Sequence, residues 1–331
     1  MLKVFITIDT ELWPLSPGWP LIPLSSDKID FSKEIENYFY GVTLTGDFGI
    51  PYQIAHLKRY GLKATYFVEP MFAEVLGKES LSQLVALIQN GKQEVQLHMH
   101  TEWLGEISNP ILPSHCRQNI GQYSESEQTA IIKHGLDTLI DCGAVSVVAF
   151  RAGNFGASMS TLPALRSNGL IFDSSHNTCM LATNCDMQEL GELVQPALVD
   201  NVVEVPVSFY NDYLNHFRHV QLCACSFSEL QHALLWAWKA GWTSFVIVMH
   251  SFELIRYTCK ARHQIAPHPL HISRFDKLCR FLSEHSDKFN TVHFRDLNPT
   301  ELPFEGNARY YRSSLARTLY RYGEQLMGTL I

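Results

Sequence analysis

Nowhere in this 331-residue chain do five Lys or Arg residues stand in a row. That removes the basic footprint of a nucleic-acid binder and the polybasic cluster of a juxtamembrane anchor. The formal net charge is −7, which adds to the case against a nucleic-acid partner. No apolar run approaches the roughly 18 residues that a membrane-crossing helix needs. The opening MLKVFITIDTE meets charge after about five apolar residues, too short a run for a secretory leader, so a cytoplasmic location is expected. Internal repeats and low-complexity segments are missing as well. Eight cysteines, Cys116, Cys142, Cys179, Cys185, Cys223, Cys225, Cys259 and Cys279, are scattered without a disulfide-like pattern. Reduced, mostly buried thiols follow. Cys223 and Cys225 sit one residue closer than the usual C-x-x-C zinc spacing, so no structural metal is expected there.

What the chain does have is a regular alternation of short apolar runs with helical patterns. Leu2–Ile8, Leu62–Val68, Glu94–His98, Val145–Phe150, Leu170–Phe172, Val202–Val207, Ser244–His250 and Thr291–Phe294 read as strands. Several are continuously apolar, as strands buried on both faces must be. Between them, a helix capped by Asp47 runs to Tyr60 with Gly61 as its stop. Ser124 and Glu127 form a capping box for a helix to Cys142. Further helices cover Ser228–Ala240, Ile272–Ser286 and Arg309–Met327. This alternation predicts an α/β fold with a parallel sheet or barrel. One long connection, 13–46, separates the first strand from its helix and carries Trp13, Trp19, Phe31, Tyr38, Phe39 and Tyr40 with four prolines. Long connections at strand ends are often functional, and aromatic faces there can stack on sugar rings or pack on one another.

Polar residues recur where the predicted strands end. Asp9 and Glu11 follow the first strand, and His98, His100 and Glu102 the third. Arg151 follows the fourth, Asp173 the fifth and His250 the seventh. In barrel-like folds catalytic groups collect at that end of the sheet. Imidazoles and carboxylates are ligands for zinc and similar ions. If the chain turns helical after His98, His98 and Glu102 share a face; if it stays extended, His98 and His100 do. His250 needs a carboxylate to set its tautomer and raise its pKa, and Asp173 is the candidate. The histidine-rich stretch 263–271 is read as a solvated or substrate-side loop, because its prolines break regular ligand spacing.

In family order, the segments Thr7-Ile8-Asp9-Thr10-Glu11, His98-Met99-His100-Thr101-Glu102, Arg151-Ala152-Gly153-Asn154, Asp173-Ser174-Ser175 and Val248-Met249-His250 resemble the five motifs of the polysaccharide deacetylases (carbohydrate esterase family 4, the NodB-homology domain). The resemblance covers roughly residues 2–300 and is nearest to a WalW- or WbmS-like branch of surface-polysaccharide clusters. It implies a distorted (β/α) barrel of about seven parallel strands over residues 1–300. Residues 12–46 would form a substrate cap and 301–331 a C-terminal helical extension.

By the same resemblance Asp9 is the catalytic base, paired with Arg151, and His250 is the catalytic acid, oriented by Asp173. The Asn154 backbone N–H serves the oxyanion. Glu11, His98 and Glu102 hold one divalent ion, with His100 as alternative ligand. Zinc is the first choice, with manganese, iron, cobalt and nickel as alternatives. Trp13 and Trp103 are candidate substrate contacts. Thr10, Glu102 and Gly153 depart from the family pattern. The implied activity is removal of an N-acyl group from an amino sugar or polysaccharide precursor. The alternatives are a deformylase or amidase on a lipid- or nucleotide-linked sugar, and a sugar-binding protein without catalysis. A homo-oligomer is left open.

Overall fold

A computed structural model describes residues 1–13, 19, 20, 24, 30–108, 111, 116–181, 183–258, 264–304 and 308–330. Its main sheet contains β1 (Leu2–Thr10), β2 (Thr65–Val68), β3 (Glu94–Met99), β4 (Ala149–Ala152) and β5 (Phe172–Asp173). It continues with β6 (Ala197–Val199), β7 (Val202–Glu204), β8 (Ser244–His250) and β9 (Phe289–Thr291). The order is β8-β1-β2-β3-β4-β5-β7-β6, with β9 also on β1. Every pairing is parallel except β6 with β7. The sheet curls, and the Ser208 hydroxyl accepts from Val246 N–H on the far side of β8 at 2.9 Å.

The crossovers are helical, as is usual for parallel pairing, except that from β5 to β7, which runs through short 3-10 turns and β6: α1 (Ile50–Tyr60), α2 (Lys78–Asn90), α3 (Glu125–Asp141), α4 (Thr161–Ser167), α5 (Phe227–Lys239) and α6 (Pro269–Glu284), with α7 (Leu315–Leu330) at the end. Ser124 and Glu127 make the expected capping box on α3, and Ser226 and Glu229 make another on α5. Asp47 does not cap α1. It pairs with Val42 in a small hairpin, and Gly49 holds the cap position. The fourth strand starts at Ala149 rather than Val145, because Ser146 adopts a left-handed φ of 55°. The last strand of the main sheet ends at Thr291, which leaves Phe294 free to enter the barrel.

Alternation along each strand sorts the side chains into two cores. On β1, Leu2, Val4, Ile6 and Ile8 face the helices, while Phe5 joins the barrel interior with Phe67, Phe172, Val203, Val246 and Val248. Phe294 plugs that interior, its ring centroid 4.7 Å from Phe5 and 5.6 Å from Phe172. The parity that puts Phe5 inside also aims Thr7 and Asp9 inside, one step higher each time. Likewise His98 stands on the interior face of β3, Arg151 on that of β4 and His250 on that of β8. Among the described residues, no helix is long and apolar enough to cross a membrane.

Candidate metal and catalytic site

Strand parity thus delivers acids and imidazoles to one rim. Asp9, Glu11, His98, His100, Asn154 and His250 line a single cleft, with Ala152, Phe155, Met180 and Asn184 completing its wall. Asp9, almost fully buried, receives the Arg151 Nη1–H at 2.7 Å. Arg151 is itself fixed by Thr7 Oγ1 at 2.9 Å, by the Ser174 carbonyl and hydroxyl, and by the Phe67 ring 4.4 Å below its guanidinium. A buried pair of this kind holds the carboxylate in one orientation.

Glu11, His98 and His100 each offer one ligand atom, and these atoms lie within 4.8 Å of one another. Both rings are held by their Nδ1 atoms. His98 Nδ1 donates to the Arg151 carbonyl at 2.8 Å, and His100 Nδ1 faces Glu102 Oε2 at 3.2 Å. Both Nε2 atoms consequently converge on Glu11 Oε2, at 3.2 Å from His98 and 2.5 Å from His100. Such Nδ1 anchoring is how metal-binding histidines are oriented. Burial disfavours a charged His100, but Glu11 and Glu102 outweigh it and hold the imidazole pKa well above its usual value. Burial likewise opposes the Glu11 charge, and His100, His98 and His250 overcome it, so its pKa lies well below normal. A cluster that draws positive charge so strongly to one point fits a divalent cation, and a carboxylate with two imidazoles suits zinc or a similar ion.

Glu102 is therefore not in this ligand group. The chain stays extended through His100 (φ −101°, ψ 109°) and turns helical only at Thr101, so His98 and His100 share the face. The buried Glu102 carboxylate instead bridges His100 Nδ1 and Asn154 Nδ2, the latter at 2.8 Å. Gly153 makes the arrangement possible. A Cβ there would lie 2.7 Å from the His100 ring and the Met99 carbonyl.

Asp173 does not meet His250 either. Phe172 takes the inward position on β5, so Asp173 points to the helix side, where it pairs in register with Glu204 on β7 and accepts from Ser175 Oγ at 2.6 Å. Both carboxyls are completely buried, and that burial pushes both pKa values up. His250, the register partner of Asp9, has other companions: Gln221 Nε2 at 3.2 Å and Glu253 Oε1 at 3.6 Å from its Nδ1. Burial lowers its pKa, but Glu253, Glu11 and Asp9 prevail and raise it to about 9. With Nδ1 taken, Nε2 is the nitrogen left for the cleft. Glu253, three residues past the strand end, was missed in the sequence. Its one signal is an acid placed a single turn after a strand-terminal histidine.

Asn154 lines the cleft in a left-handed conformation (φ 56°). Trp13 packs edge-on against His100, 5.4 Å between centroids. Trp103 is fully buried beneath Trp19, so no sugar ring reaches it. Within the described part of the 13–46 connection Tyr38 and Phe39 are buried, and Tyr38 stands against Phe252, which flanks His250, while Leu44 is fully exposed. The rest of that connection, Cys259 and His263 lie outside the described residues. The remaining seven cysteines are free thiols. Within the histidine-rich stretch, Ile265–Pro267 is a strand, and His268 and His271 stack at the start of α6.

No protein-family model and no curated protein sequence matches the chain. Among solved structures, a protein from Mycobacterium smegmatis assigned as a polysaccharide deacetylase aligns at 16% identity, over 94% of this chain and 95% of that one, with a TM-score of 0.56. This chain has the NodB-type (β/α) barrel fold. A family 4 carbohydrate esterase from Streptomyces lividans, solved with acetate, aligns at 11% identity over 94% and 98% of the two chains (TM-score 0.41). A family 4 pseudoenzyme from Bacillus anthracis aligns at 11% identity over 94% and 68% (TM-score 0.39). The barrel expected from the motifs is thus the barrel found, and the activity has to be argued from the site.

Proposed function

We propose that the chain is a metal-dependent N-deacylase that hydrolyses an N-acetyl or similar amide on an amino sugar, as carbohydrate esterases of family 4 do. The natural substrate would be a bacterial surface polysaccharide or its precursor, in keeping with the branch its motifs resemble. One observation carries the reading: the Glu11–His98–His100 group, the Asp9–Arg151 pair and His250 share one cleft.

Glu11, His98 and His100 would hold the ion, zinc in the first instance. A divalent ion supplies Lewis acidity to an acyl carbonyl and lowers the pKa of a water. Asp9, oriented by Arg151, takes the proton as water attacks. The Asn154 N–H serves the oxygen that gains charge. His250, kept protonated by Glu253, gives its proton to the departing amine, which otherwise leaves poorly. The 12–46 connection caps the sugar, a role supported by Trp13 against His100 and Tyr38 against Phe252.

The test is elemental analysis of chelator-free protein, followed by acetate or formate release from a panel of N-acylated amino sugars. Stoichiometric metal and release that Asp9→Asn abolishes without loss of the ion are expected. Protein that holds no ion and releases nothing defeats the proposal.

A further inference from the structure

Helix α7 is amphipathic in the inverse sense. Its polar side faces the protein: Arg321 donates to Asp212 at 3.2 Å and to Glu229 at 3.3 Å. Glu324 accepts from Arg274 at 2.8 Å, and Thr318 accepts from Tyr213 N–H at 3.3 Å. Arg321, Glu324 and Thr318 are all buried. Arg317 folds back onto Ser314 and Tyr311. At 3.6 residues per turn, the opposite side carries Leu315, Ala316, Leu319, Tyr320, Gly323 and Leu326, and not one charge. Leu319 is 58% exposed and Tyr320 54%. Tyr213 and Leu214, in the turn bonded to Thr318, add further exposed apolar surface beside it. Ordinary surface helices turn the other way, and contiguous apolar surface marks an interaction site.

We infer that this face is the contact between two copies of the chain, with α7 packed antiparallel against its twofold mate. The face is self-complementary in size. An antiparallel pairing that sets Leu319 of each copy over Gly323 of the other also sets Leu326 over Ala316, a bulky side chain against a small one each time. Gly323 supports this independently. Glycine weakens a helix interior, and a Cβ at 323 would meet nothing within 4 Å, so nothing among the described residues calls for it. Covering the exposed apolar side chains of α7 and the 213–214 turn buries roughly 600 Å² per copy, about 1,200 Å² in all, the lower bound for a stable interface. A lipid surface suits this face less well. Membrane-lying helices surround their apolar stripe with basic residues, whereas Arg321 is committed to internal ion pairs and the chain carries a net charge of −7.

Sedimentation analysis of the full chain at micromolar concentrations, with circular dichroism as the folding control, decides the matter. The native chain should sediment at twice its formula mass. Gly323→Leu, which enlarges the apolar face yet fills the place of close approach, should weaken the dimer at least tenfold. Leu319→Glu should do the same, and it serves alone if Gly323→Leu does not fold. A native chain that is monomeric, a Gly323→Leu dimer as tight as the native one, or monomers that pellet with anionic phosphatidylserine vesicles would each overturn the inference.

Discussion

Replacing Glu253 by Gln isolates the electrostatics of His250. The carboxylate oxygen lies 3.6 Å from Nδ1, and Glu253 is itself buried, while about a quarter of the His250 side chain stays exposed. At an effective dielectric near 20, two unit charges at that distance attract by about 4–5 kcal/mol, and partial exposure brings this to about 1–3 kcal/mol. The negative neighbour favours the imidazolium, so its loss lowers the pKa. From about 9 the value should fall by roughly 1–2 units. The assay is NMR titration of the His250 ring proton in metal-free protein, with the resonance identified by its loss in His250→Gln.

Linkage gives a second reading of the same variant. A histidine whose folded pKa is raised contributes stability that is complete below about pH 6.5 and fades as pH climbs through the folded value. Glu253→Gln should therefore be less stable than the parent by about 1–3 kcal/mol near pH 6, and the gap should close towards pH 9.5 or above. A His250 pKa within about 0.3 unit of the parent's would refute the pairing, because 0.3 unit corresponds to only about 0.4 kcal/mol.

Three more outcomes follow from the geometry. Gly153→Ala forces a Cβ into the His100 ring and should lower zinc affinity at least tenfold, read by competition with a chromogenic chelator. His100→Ala should leave the protein well below one ion per chain, whereas Glu102→Ala should still bind one ion with affinity reduced about 10–100-fold; full occupancy in the first variant would remove His100 from the ligand set. Arg151→Met strands the buried Asp9 carboxylate and should cost about 3–5 kcal/mol in urea unfolding at pH 7.

The sequence foreshadows most of the strands, the helices α1, α3, α5 and α6 and the collection of polar groups at one end of the sheet, though not α2, α4 or the antiparallel β6. These are local properties: a continuous apolar run needs burial on both faces, and the residue that follows it stands at the rim. Glu11, His98, Asp9, Arg151 and His250 were all legible in that way. Which face of each strand becomes the barrel interior is set by the assembled sheet. That choice depends on partners far along the chain, and it separates His98 and Arg151, which point in, from Asp173, which points out behind Phe172. It likewise took the fold to show that backbone extension persists through His100, which brings His100 rather than Glu102 beside Glu11 and His98. The same holds for α7: its charged side looks solvent-facing in isolation, and Asp212, Glu229 and Arg274, all more than forty residues distant in the chain, are what turn it inward.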